Sequence, residues 1–71
     1  HREKRNEQVV QAVAAGARSV RAIVAAIYPS QNLLVRRAAG MTIMAHVEYL
    51  EGLGRLHVQR GLWGIRLYPH P

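Results

Sequence analysis

The 71-residue chain contains no cysteine. That rules out disulfide staples and thiolate metal sites, and with them the usual support of a very small secreted domain. Aromatic residues are few: Trp63, Tyr28, Tyr49 and Tyr68 are the whole inventory. Acidic residues are scarcer still, four against ten lysines and arginines. No apolar run approaches the roughly 20 residues that a membrane-spanning helix requires. No histidine pair has the one-turn spacing of a helical metal site, since His1, His46, His57 and His70 are scattered. Ser19 and Ser30 sit where cap and turn residues belong, and no nucleophile–base–acid set accompanies them. The residues themselves therefore point to no catalytic site and no metal or cofactor site in this chain.

Hydrophobic residues make up 49% of the sequence, a globular composition. A chain of this length has room for one domain with a small core. The net charge is +6 and the sequence pI about 11.2, which favours anionic partners: nucleic acid, an anionic surface, or the acidic face of a neighbouring domain. The N-terminus reads His-Arg-Glu-Lys-Arg, a charged helix start rather than a signal peptide, and an intracellular soluble protein is expected. The absence of an initiating Met suggests a module of a longer protein.

The organising stretch is Ala38 to Leu67. Ala39, Ile43, Val47, Leu50 and Leu53 recur at three- or four-residue steps and share one helical face. Gly54 is placed to stop that helix. The period then changes to two. Leu56 and Val58 alternate with His57 and Gln59, and Ile65 and Leu67 alternate with Arg66 and Tyr68. The run from Gln59 to Gly64 lies between them, as in a hairpin.

Upstream, Val9, Val10, Val13 and Ala14 mark the apolar side of a first helix, with Arg2, Lys4, Arg5, Asn6 and Gln11 toward solvent and Gly16 as its stop. Ser19 caps a second helix with Val20, Ile23, Val24 and Ile27 inward, and Pro29 ends it. Ser30-Gln31-Asn32 connects to a third helix, capped by Asn32, whose Leu33 or Leu34 would pack on the second. Gly40 lies inside that helix, either for a close backbone approach or simply tolerated. This order predicts a mainly α domain with a small β-hairpin: a three-helix winged helix (winged helix-turn-helix). It forms a single domain over 1–71, with helices at about 2–15, 20–28 and 34–53 and the wing at about 55–68.

The outer face of the third helix would carry Arg37, Met41, Ala45, Glu48, Tyr49 and Gly52. It lacks the Asn, Gln and further Arg of a base-reading helix, so sequence-specific DNA reading is not expected. Backbone binding to RNA or DNA has better candidates in Arg36, Arg37, Arg55, Arg60 and Arg66, with Arg18 and Arg21 near the second helix start. The alternative is a basic face that is merely solvated or docked on acidic residues. The apolar residues left outside the core, Met41, Ala45, Tyr49, Leu62 and Trp63, are the docking candidates. Trp63 is expected to fold back over the thin core, and His46 to be a half-buried packing residue with a hydrogen bond.

Several segments together resemble one family. They are His1-Arg2 with Arg5, Glu7 and Gln8; Ser19, Ile23-Val24 and Ile27-Tyr28-Pro29; Ala38-Ala39; Ala45-His46-Val47; Leu50-Glu51; and Gly54-Arg55-Leu56. In order and spacing they are similar to the winged-helix domain found C-terminal to metallo-β-lactamase-fold hydrolases, the group that includes the mitochondrial metallo-β-lactamase-like endoribonuclease. Tyr49 stands where that family tends to place a lysine, and Gly52 and Leu53 replace a polar pair. The resemblance implies a parent enzyme with a zinc-binding hydrolase domain upstream, whose His-x-His-x-Asp-His ligands have no counterpart here. It also implies a role for this module: docking on that catalytic domain, shaping substrate access, and in the ribonucleases offering a basic surface to RNA.

Overall fold

The computed structural model describes residues 2–30 and 32–70. The readings placed on His1, Gln31, Pro71 and the Arg2 side chain lie outside what it describes. Three helices, α1 (Arg2–Ala14), α2 (Val20–Ile27) and α3 (Leu33–Gly52), precede an antiparallel hairpin of β1 (Leu56–Gly61) and β2 (Gly64–Pro69). This is the expected mainly helical, three-helix winged-helix layout.

Local chemistry accounts for the helix ends. The Ser19 hydroxyl oxygen accepts from the Ala22 amide at 3.1 Å, and the Asn32 side-chain oxygen accepts from the Val35 amide at 2.9 Å. α1 and α3 finish alike. Gly16 (φ 118°) and Gly54 (φ 75°) turn the chain left-handed. The following amides, Ala17 and Arg55, then reach back to the carbonyls of Ala12 and Leu50 at 3.0 and 2.9 Å. Carbonyls that the helix cannot satisfy are thereby paired.

The core is aliphatic. Val9, Val13, Ile23, Ile43, Val47, Leu50 and Leu67 are completely buried, with Ala12, Val24, Leu56 and Val58 beside them. Leu53 does not join its helical stripe and is 56% exposed. α3 has ended by that residue, and the Gly54 reversal delivers Leu56 to the core instead. Leu33 and Leu34 do not pack on α2 either and are exposed. Arg36, in the same first turn of α3, instead reaches α2: its guanidinium donates to the Tyr28 and Pro29 carbonyls at 3.3 and 2.6 Å. The positive charge thus sits at the C-terminal end of α2, where free carbonyls favour it. Gly40 permits no unusual approach: a Cβ there would meet only a Val20 methyl carbon at 4.0 Å, an ordinary contact.

On α1 the buried stripe is Asn6, Val9 and Val13, with Ala12 beside it, whereas Ala14 is exposed. Asn6, expected in solvent, is buried because His46 of α3 meets it: His46 Nδ1 lies 2.6 Å from Asn6 Oδ1. An amide oxygen only accepts, so Nδ1 carries the hydrogen in this bond. The half-buried, hydrogen-bonded His46 is the one expected. Arg5 is also drawn in. Its guanidinium donates to Gln8 at 3.0 Å and lies 5.0 Å from the Tyr28 ring centre.

The strands extend further than the sequence pattern suggested. Gly61 pairs with Gly64, so only Leu62 and Trp63 form the turn. On the edge of β2 away from β1, the Leu67 amide donates to the Arg18 carbonyl at 2.9 Å, a single backbone rung to the α1–α2 connection.

Candidate docking and anion-binding surfaces

The five candidate arginines do not form one stripe. Arg36 is committed to the α2 carbonyls. Arg55 donates to Glu7 of α1 at 2.6 Å. Arg60 reaches from the wing to α3 and grips both carboxylate oxygens of Glu51 at 2.8 Å each. Arg37 and Arg66 are exposed and have no side-chain partner among the described residues.

Two depressions collect the remaining positive charge. One lies between α2 and α3, with Arg21, Arg36 and Arg37 along it. The other, of about 700 Å³, lies between the wing and the start of α2 and takes in Arg18, Arg60 and Arg66. No acidic side chain lines either. Arg18, which sequence spacing marked only as a flank of α2, is a structural clamp. Its guanidinium donates to the Val13 and Ala17 carbonyls at 2.8 and 3.0 Å and lies 5.4 Å from the Tyr68 ring centre. Nothing in the local sequence announces that clamp, because α1 and β2 meet around it only after folding.

The hydrogen bonds from Arg60 hold the Glu51 carboxyl below its ordinary range; partial desolvation opposes them, and the charges of Arg60 and His57 assist. A depressed carboxylate adds stability that is complete above the unfolded pKa and is lost as pH falls through the folded one. The stabilisation from this pair therefore disappears on acidification below the ordinary glutamate range of about pH 4.3. Arg60→Ala should move the Glu51 titration midpoint upward toward that value, read from the carboxyl carbon shift. An unchanged midpoint would show that the pair is not formed in solution.

The docking candidates are exposed. Met41 is 80% exposed and Tyr49 is 52% exposed on the outward side of α3, where Ala45 is also exposed. Leu62 and Trp63 at the wing tip are 98% and 100% exposed, so Trp63 does not fold back over the core. The hairpin register explains this. A two-residue turn closed by Gly61 and Gly64 carries its side chains beyond the last core pair, Val58 and Leu67. Tyr49 borders a shallow depression with Thr42, Ala45 and His46, whereas Leu62 and Trp63 border the groove under the wing. Tyr49 thus faces a different depression from Leu62 and Trp63, and Met41 borders neither.

Comparison with family models, with curated proteins and with solved structures finds no match. The family resemblance rests on the quoted residues alone. Among the described residues no three His, Asp or Glu side chains gather into a metal site. Among the described residues no helix is long and apolar enough to cross a membrane.

Proposed function

We infer that this chain is a non-catalytic accessory winged-helix domain that docks on the catalytic domain of a metallo-β-lactamase-fold hydrolase and shapes access to its active site. The observation that carries docking is the exposure of Met41, Tyr49, Leu62 and Trp63 on a domain whose core is already closed. Leu62 and Trp63, adjacent and almost wholly exposed at the wing tip, form a contiguous apolar patch of the kind that marks a surface meant to be covered. The partner's identity comes from the resemblance, and zinc belongs to that partner's domain.

The test is the open reading frame that contains this segment. A His-x-His-x-Asp-His motif upstream supports the assignment, and its absence overturns it. In the joined protein, amides around Met41, Tyr49, Leu62 and Trp63 should exchange more slowly than in the isolated domain.

A second reading is binding to the RNA or DNA backbone. It is favoured by the acid-free depressions that hold Arg37 and Arg66. Arg36, Arg55 and Arg60 are already engaged, so few phosphates would be neutralised. Three uncommitted arginines, Arg21, Arg37 and Arg66, give a log–log salt slope of only about −2.7 on duplex DNA. Titration of labelled RNA and DNA at several salt concentrations, with Arg37→Ala and Arg66→Ala as controls, measures it. No binding at low salt removes this reading.

A further inference from the structure

Leu67 donates its amide away from β1, to the carbonyl of Arg18. Backbone groups two residues apart on a strand point to the same edge, so the Ile65 amide and carbonyl face that side as well. The chain that supplies Arg18 does not continue along it. At Val20 it turns into α2. Among the described residues the Leu67–Arg18 rung is the only backbone pairing on this edge, and toward the wing tip the edge is open.

The groove of about 700 Å³ reaches this edge: Arg18, Ser19 and Ala22 line it together with Ile65 and Arg66 of β2 and Gln59 to Gly61 of β1. A strand added to a sheet lies about 4.8 Å from its neighbour and uses exactly such unpaired groups. We propose that the edge of β2 at Ile65 captures an extended acidic segment of a partner protein as a further strand, held by the cationic groove under the wing.

The chemistry of that segment follows from the pleat. Side chains alternate between the two faces of a sheet. On the outer face the added strand would run beside Arg66 and Tyr68, and on the inner face beside the half-buried Ile65 and the small Ala22. Acidic residues therefore suit every second position and small apolar ones the positions between. Main-chain bonding supplies affinity in this mode, and the alternate side chains supply selectivity. A nucleic-acid backbone fits less well. Its phosphates only accept hydrogen bonds, which leaves the outward carbonyls of Ile65 and Leu67 unpaired. The proposal does not rest on the docking reading above, although Leu62 and Trp63 border the same groove, so a docked domain and an acidic strand would compete there.

The experiment is a nuclear magnetic resonance titration of the 71-residue chain. The probes are a panel of short peptides in which Glu or Asp alternates with Ala, Val or Thr, with matched Lys-substituted and proline-interrupted controls. Single-stranded RNA and DNA oligonucleotides form a parallel arm. Acidic alternating peptides should give saturable shifts at Ile65 and Arg66 and slow the exchange of the Ile65 amide at least tenfold. Arg66→Glu should weaken binding at least tenfold. Arg37→Glu, the same charge change in the other depression, should weaken it less than threefold. The proposal fails if no acidic peptide binds at low salt, or if the Ile65 amide is unprotected at saturation. It also fails if both variants weaken binding equally, or if only the oligonucleotides protect Ile65. None of these outcomes bears on Met41 and Tyr49, so docking of a hydrolase domain stands or falls separately.

Discussion

Leu50→Ala should lower the unfolding free energy by about 2–5 kcal/mol, and Leu53→Ala, one helical step further on, by no more than about 0.5 kcal/mol. The two leucines belong to the same sequence stripe. Leu50 is completely buried, and Leu53 is 56% exposed. Truncating Leu50 removes its transfer free energy and leaves a cavity in a core of small and branched aliphatic side chains. A domain of this size has a total stability of roughly 4–11 kcal/mol at 0.05–0.15 kcal/mol per residue. The Leu50 variant thus loses a large share of it and should melt well below the wild type. Paired thermal and urea unfolding curves decide the matter. Equal losses for the two variants would mean that the Gly54 reversal does not place Leu53 outside.

Asn6→Ala should cost about 1–3 kcal/mol, the penalty of stranding a polar partner at a buried site. Asn6 is 8% exposed and bridges α1 to α3 through His46, forty positions later in the chain. The effect should not add to that of His46→Ala. A double-mutant cycle should return a coupling of about 0.5–3 kcal/mol, as for residues in direct contact. The nitrogen shifts of the imidazole should also show Nδ1 protonated in the wild type and lose that preference in Asn6→Ala. Additive losses, or an unchanged imidazole, would make the bridge incidental to stability.

These two positions show where sequence reading succeeds and where it stops. Ile43, Val47 and Leu50 were legible because burial repeats at the helical period. Asn6 has the same spacing relative to Val9 and Val13, yet its polarity argued for solvent. Only the arrival of His46 from another helix makes its burial tolerable. Arginines illustrate the same limit. Arg55 and Arg60 read as free charge until Glu7 and Glu51 are brought within 2.6 and 2.8 Å. Trp63 read as cover for the core until the register placed it beyond the last buried pair.

The sequence by itself determined the order of the elements and the ends of the helices. Ser19 and Asn32 as caps, Gly16 and Gly54 as reversals and Pro29 as a stop act on amides and carbonyls within a few residues. Such effects need no knowledge of the rest of the chain. Tertiary structure alone decided which charges are neutralised, which apolar side chains remain outside, and that β2 keeps an open edge beside α2. Each of these depends on groups far apart in the chain meeting across an interface, and no local preference encodes that meeting.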